Sequence, residues 1–413
     1  MSLNAVPSAD RIHIGIFGKR NAGKSSIINA MTGQSLAIVS DIKGTTTDPV
    51  LKAMELLPLG PVVLIDTPGL DDEGPLGDLR VKKAYQTLNK TDIAVLVVDG
   101  SAGVTQEDIT ILGQIQKKQI PYVIVWNKSD LSAISGEAEI PPEVSSIFPQ
   151  VPPSHMLAVS TKTGKNIRQL KELITRQVPS RDNNKKIVGD LIQPSDFIVL
   201  VVPIDKAAPK GRLILPQQQT IRDILDTGAV SIVTKETELK ATLQNLGKKP
   251  ALVITDSQVF DKADKEVPHE IPLTSFSILF ARYKGSLETV VHGAAALDLL
   301  ESGDKLLISE GCTHHRQCGD IGTVKLPQLI NRHTGKELDF EFTSGTEFPL
   351  GLSQYRLIIH CGGCMLNDRE MKYRIKCAQD QNVPITNYGT AIAYMQGILK
   401  RSIQVFPELT SYC

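Results

Sequence analysis

Short apolar runs punctuate the first part of the chain: Ile12–Phe17, Val62–Ile65, Ile93–Val98, Tyr122–Trp126 and Met156–Val159. Each is followed by a loop and then by a stretch of mixed polar and apolar residues. A strand covered on both faces is apolar throughout, whereas a helix laid on it is apolar on one side. The alternation predicts a parallel sheet wrapped by helices, closed by a helix near Asn166–Gln177. The polar run Arg181–Lys186 reads as a linker. Beyond it the rhythm repeats on a smaller scale. Phe197–Val202, Ala229–Val233 and Ala251–Ile254 read as strands, and Gln217–Asp226 and Glu236–Leu246 as helices. The polar stretch Asp261–Glu266, before Pro268, marks a second boundary. The fold class expected is α/β with three domains: 1–178 with a mostly parallel sheet, a small α/β domain at 185–266, and a third α/β domain at 267–413.

Composition supports this division. A chain of 413 residues is too long for one ordinary core, and 41% apolar content suffices for well-packed domains. Basic and acidic residues balance at 45 each, which argues against a strongly basic nucleic-acid-binding protein. The start lacks the charged-then-apolar pattern of a signal peptide. The longest apolar runs, such as Phe197–Val202, fall far short of the ~20 residues that a membrane helix needs. A cytoplasmic protein with no membrane partner is expected. The six cysteines are uneven: Cys312, Cys318, Cys361, Cys364, Cys377 and Cys413, with none earlier. Such clustering points to metal or redox chemistry rather than to scattered disulfides.

Candidate chemistry enters first at Gly18-Lys19-Arg20-Asn21-Ala22-Gly23-Lys24-Ser25, a complete phosphate-loop pattern between a strand and a helix. The turn through Asn21, Ala22 and Gly23 lets backbone amides curl around phosphate oxygens, and Ser26 carries the site into the helix. Lys24 supplies a point charge for the terminal phosphates, Ser25 a hydroxyl for Mg2+, and the helix aims its positive end at the anion. Asp66-Thr67-Pro68-Gly69 follows the next buried strand. There Asp66 is suited to hold magnesium through water, and the Gly69 amide to face the terminal phosphate. Asn127-Lys128-Ser129-Asp130 follows the strand Tyr122–Trp126. A carboxylate at Asp130 accepts from the ring N–H and exocyclic amine of guanine, a donor pair that adenine lacks, so GTP is the expected substrate. Ser160-Thr161-Lys162 fits a last base-contacting loop.

These elements, in this order over about residues 11–178, resemble the translation-factor-like GTPases, particularly the Era and TrmE/MnmE branch. The segment Ser40–Asp48 resembles that branch's first switch. The match implies Thr46 as the second magnesium ligand, or Thr45 or Thr47 in a shifted register. Asn21 resembles the asparagine that helps hold potassium in MnmE-type GTPases, where K+ offsets transition-state charge as an arginine finger does. Leu70 stands where Ras-like enzymes carry a water-orienting glutamine, so slow intrinsic hydrolysis is expected. Asp71, Asp72 and Glu73 are candidates to position water in its place, against the commoner reading of a solvated acidic loop.

The third segment pairs Cys312-Thr313-His314 with His360-Cys361-Gly362-Gly363-Cys364. Thiolates are soft ligands for zinc or an iron–sulfur cluster. The Cys-Gly-Gly-Cys turn directs two sulfurs at one centre, and Cys312 would supply a third. Cys377 reads as a helix residue and Cys413 as terminal. The paired motifs fused to a phosphate-loop GTPase resemble the HydF family, maturation proteins of FeFe hydrogenase, over essentially the whole chain. The resemblance implies a 4Fe–4S cluster on Cys312, Cys361 and Cys364, a middle dimerisation domain and a homodimer. It also implies a scaffold or carrier role for the diiron precursor of the H-cluster. The radical-SAM maturases HydE and HydG would help build that cargo, and apo FeFe hydrogenase would receive it. His314, His360, Asp320 and Cys318 are the candidates for the fourth iron, with an open position preferred. A tRNA-modifying MnmE-like GTPase and a zinc-stabilised regulatory GTPase are the alternatives, although the chain lacks an MnmE-like closing cysteine motif.

Overall fold

The computed structural model describes residues 8–33, 49–69, 81, 83–131, 147–178, 185–204, 213–311, 320–345 and 347–412. The chain divides into two compact units, Met1–Asn183 and Asn184–Cys413.

The first unit contains β1 (Ile12–Phe17), α1 (Lys24–Thr32), β2 (Val50–Leu56), β3 (Gly60–Asp66), β4 (Ile93–Asp99), α2 (Gln106–Lys117), β5 (Tyr122–Asn127), β6 (Met156–Ala158) and α3 (Ile167–Gln177). The strands form one sheet in the order β2-β3-β1-β4-β5-β6. β2 runs antiparallel to β3, and the other pairs are parallel. Alternate residues of β4 explain its unbroken apolar run. Val95 and Val97 join a core with α1 and α3 on one face, while Leu96 and Val98 join a second core with Ile111 and Ile115 of α2 on the other. α3 buries Ile167, Leu170 and Ile174, spaced to form one stripe. The sequence pattern did not anticipate β2. It is an edge strand whose Val50 and Leu51 are exposed and whose Lys52 and Glu55 break the apolar run.

The second unit holds two four-stranded, all-parallel sheets. The first contains β7 (Phe197–Val201), α4 (Leu215–Asp226), β8 (Val230–Thr234), α5 (Leu239–Asn245), β9 (Leu252–Thr255), α6 (Phe260–Glu266), β10 (Leu273–Ser275), α7 (Phe276–Lys284) and α8 (Leu287–Ala294), in the order β10-β9-β7-β8. The second contains β11 (Lys305–Ser309), α9 (Leu326–Thr334), β12 (Asp339–Thr343), β13 (Leu357–His360), α10 (Asp368–Asp380), β14 (Ile385–Asn387) and α11 (Tyr388–Met395), in the order β12-β11-β13-β14. The boundary expected at Asp261–Glu266 is helical instead. α6 buries Phe260 and Ala263, and β10 beyond it pairs with β9, so the first sheet's layer runs past residue 266. Its core also takes in Ala393, Ile398, Leu399, Ile403, Phe406 and Leu409. β8 is an edge strand that leaves Val230 and Val233 exposed. Among the described residues no helix is long and apolar enough to cross a membrane.

Candidate functional site

The described nucleotide residues gather at the carboxyl edge of the six-stranded sheet, where the loops of an open α/β sheet diverge. β1 and β3 are parallel neighbours in a register that pairs Ile16 with Asp66. The loop after β1 and the carboxylate ending β3 therefore meet. The Ser25 hydroxyl donates to Asp66 Oδ2 at 2.7 Å, which brings together the two groups expected at magnesium. Burial raises the Asp66 pKa against the opposing influence of Ser25 and Lys24. A buried carboxylate beside a hydroxyl is a donor set that fits a hard cation. Lys24 is buried, and its ammonium donates to the carbonyls of Gly18 at 2.9 Å and Lys19 at 2.7 Å, inside the loop. Thr67 donates to Ile16 O at 2.6 Å, which fixes the chain that leads to Gly69. Gly23 has φ +96°, and a Cβ there would lie 2.1 Å from Asn127 Nδ2, so both conformation and space require glycine.

That close approach joins the phosphate loop to the base-side loops. Asn127 Nδ2 donates to Ala22 O at 2.9 Å, and Asn127 Oδ1 accepts from the Thr161 amide at 3.4 Å. Ser160 donates to Asp130 Oδ1 at 2.7 Å, so the carboxylate expected to face guanine is held by the last loop. Asp130, Asn21 and Lys162 are exposed and Ser26 is half-buried. Sequence reading overlooked Asp99, which accepts from Lys128 Nζ at 2.6 Å. Burial tends to raise its pKa, but hydrogen bonds from Lys128 and Ser101 outweigh that and hold it below the usual carboxylate range. Thr45, Thr46, Thr47, Leu70, Asp71, Asp72 and Glu73 lie outside the described residues.

The cysteine turn occupies the corresponding edge of the last sheet. β11 and β13 are adjacent, with Ser309 opposite His360. β11 continues towards β12 on one side and β13 towards β14 on the other, so their following loops part at this point. Cys361 N donates to Ser309 O at 3.0 Å, extending the ladder by one step. Cys361 Sγ then accepts from the amides of Gly311 at 3.0 Å and Gly363 at 3.4 Å. Gly363 has φ +63°, and a Cβ on it would lie 2.6 Å from Met371 Sδ. Burial pushes the Cys361 thiol up to about 11, opposed by the two amides. It also raises the Cys364 thiol, opposed mainly by Lys284. Sulfurs that receive backbone amides fit a thiolate ligand set, and the thiol protons would leave on metal binding.

His360 is fully engaged: Nδ1 donates to Cys361 O at 2.7 Å, and Nε2 accepts from Arg374 Nη1 at 2.9 Å. Burial, reinforced by the guanidinium, pushes its pKa down to about 3. With both nitrogens used, this ring supports the turn rather than offering a lone pair to iron. Asp320 Oδ2 accepts from the amides of Gly322 and Thr323 and from the Thr323 hydroxyl, capping the turn at Ile321–Lys325. Cys377 is half-buried on α10 against a core cluster. Cys312, His314 and Cys318 lie outside the described residues, among which no group of three or more His, Cys, Asp or Glu side chains is gathered for a metal.

Residues 187–285 match the hydrogen maturase F dimerization domain, and residues 288–405 match the hydrogen maturase F tetramerization domain. The chain belongs to the hydrogen maturase F family. Together with these two domains the family member carries a GTPase domain: residues 13–128 match the 50S ribosome-binding GTPase. The chain is similar to GTPase Der of Wolinella succinogenes, at 34% identity over 187 residues, 43% of this chain and 39% of that protein. It is similar to the tRNA modification GTPase MnmE of Nitrosomonas eutropha, at 32% identity over 173 residues, 42% of this chain and 36% of that protein. The chain thus spans about two-fifths of the length of these curated relatives. A solved structure of Aquifex aeolicus Era bound to GDP and aluminium fluoride is 20% identical, with a TM-score of 0.37, over 54% of this chain and 92% of that one. The MnmE likeness covers less than half the chain, while the rest carries hydrogen maturase F domains; this weighs against an MnmE-like protein throughout.

Proposed function

We propose that this hydrogen maturase F family member hydrolyses GTP and carries a 4Fe–4S cluster on Cys312, Cys361 and Cys364. As a scaffold it would deliver the diiron precursor of the H-cluster to apo FeFe hydrogenase. The observation that carries the reading is the Cys361 sulfur, held by two backbone amides, one of them from Gly311, the residue before Cys312. A 4Fe–4S cluster on three thiolates supplies an iron with a replaceable ligand, which suits a carrier that binds and releases a second unit. The chain's own part is to hold the turn. The Gly311 and Gly363 amides stabilise charge on sulfur, and His360 fixes the Cys361 carbonyl. Oligomerisation follows from the two family domains, and the exposed β8 edge suits pairing of a second copy into a homodimer. The family resemblance supplies HydE and HydG as the partners that build the cargo.

At the other edge, Lys24 and the loop amides would hold the phosphates of GTP, Ser25 and Asp66 would hold Mg2+, and Asp130 would select the base. Magnesium supplies charge neutralisation at the terminal phosphates. Ordering and release of the switch segments then make GTP hydrolysis a switch.

Iron and sulfide analysis with EPR on anaerobically reconstituted protein tests the assignment. Cys312→Ser, Cys361→Ser and Cys364→Ser are each expected to cut bound iron severalfold while GTP hydrolysis persists. Full iron in all three variants would remove the ligand assignment, and zinc without iron would leave a zinc-stabilised regulatory GTPase. Transfer is checked by activation of apo-hydrogenase in the presence of HydE and HydG.

Asn21, at φ +61° in the phosphate loop, is proposed to help hold K+. Hydrolysis is expected to run roughly tenfold faster in potassium than in sodium, with the difference lost in Asn21→Ala. Equal rates in the two salts for the parent protein would dismiss the ion.

A further inference from the structure

Lys284 is unusual among the lysines of the second unit. It is 1% exposed, and an ammonium is rarely taken out of water unless something anionic or strongly polar receives it. It ends α7, inside the segment that matches the dimerization domain, yet its charge is delivered to the other one. Nζ donates to Leu366 O at 3.0 Å and to Cys364 O at 3.2 Å, which span the last residue of the Cys-Gly-Gly-Cys turn and its exit. α7 is held firmly, since Phe276, Ile278, Leu279 and Phe280 are buried in the core of the first sheet. The position of the charge is therefore set by packing outside the cysteine-bearing segment.

A 4Fe–4S cluster on three thiolates is anionic, and its negative charge grows by one on reduction. A fixed, desolvated cation beside it favours the reduced state, because charge interactions strengthen where water is excluded. We infer that Lys284 is a positioning and potential-setting residue for the cluster turn: it braces the Cys364 and Leu366 carbonyls and holds a positive charge that favours cluster reduction. The inference rests on the cluster assignment proposed above. It adds a physical link from the oligomerisation segment to the redox site, because any shift of α7 moves a charge lying against the cysteine turn.

The test is the midpoint potential and EPR spectrum of the full-length reconstituted protein, compared with Lys284→Met and Lys284→Arg. Methionine preserves length and apolar packing while removing the charge. The expected result is a lower potential in Lys284→Met, by a tenfold or larger change in the reduction equilibrium (about 59 mV for a one-electron couple), with recovery towards the parent value in Lys284→Arg. If methionine prevents cluster retention and arginine restores it, the bracing role stands. An unchanged potential and spectrum in Lys284→Met overturns the inference. So does loss of the cluster in both variants, which would assign the effect to packing. A parent protein that binds no iron fails the underlying cluster assignment instead, and Cys361→Ser, run alongside, gives the cluster-poor reference.

Discussion

Lys24→Ala is expected to lower GTP hydrolysis by about a hundred- to a thousandfold, and to leave iron content unchanged. The lysine is the buried positive side chain of the phosphate loop, with its ammonium against Gly18 O and Lys19 O. Charge moves towards the β–γ bridge as the terminal phosphoryl leaves, and a preorganised cation in that position acts on the transition state more than on bound substrate. Loss of one such donor typically costs roughly 3–4 kcal/mol, and each 1.4 kcal/mol is about tenfold in rate. Alanine also removes the two contacts that fold the loop upon itself, so GTP affinity falls with the rate. Steady-state phosphate release and iron analysis on the same preparation decide it. The cysteines belong to the other compact unit, so a fall in iron parallel to the fall in activity would show that the two chemistries are not separable.

The second large effect is on stability. Arg374→Met is expected to destabilise the second unit by about 3–5 kcal/mol, because removing one member of a buried ion pair leaves its partner charged and dry. Arg374 is fully buried. Its Nε donates to Glu370 Oε1 at 2.9 Å, Nη1 to Ser309 Oγ at 3.1 Å and to His360 Nε2, and Nη2 to Gly345 O at 2.8 Å. One side chain thus ties the ends of β11 and β13 to α10 and to the segment after β12. The thermal transition is expected about 10 °C lower, and the double change Arg374→Met, Glu370→Met should recover part of the loss. A shift under ~1 kcal/mol by chemical denaturation would show that the network contributes little net stability.

Both predictions rest on residues with different standing in the sequence. Lys24 was legible because the phosphate loop is local: eight consecutive residues, a strand before and a helix after. Asp66 and Asn127 were legible for the same reason, each directly following an apolar run, and Asp130 lies three residues beyond Asn127 in the same short motif. The parallel strands at 93–98 and 122–126 were equally plain, since coverage on both faces leaves no polar position to confuse the period. Arg374, Lys284 and Asp99 carried no such signal. Their partners are distant in sequence, as with Lys284 and Leu366 or Arg374 and Ser309, and a charged residue in a helix reads as solvated until the opposing elements are in place. β10, β12 and β14 were missed because they are short or carry polar residues within the run, as in Asp339–Thr343. The boundary at 261–266 was misleading because the polar face of α6 hides the buried Phe260 and Ala263 that hold it to the sheet behind.

The core shared by residues 187–294 and 393–409 bears on how the protein is made. The GTPase unit can close as soon as its own residues have left the ribosome, because its sheet uses nothing beyond residue 183. The second unit cannot. Ile403, Phe406 and Leu409 fill a core whose first strand is synthesised some two hundred residues earlier, and contacts of such separation form late. Until they arrive, the helix bearing Lys284 rests on an incomplete base, although Cys361 and Cys364 precede them in the chain. Assembly of a metal site at the Cys361–Cys364 turn is therefore expected to follow closure of this core.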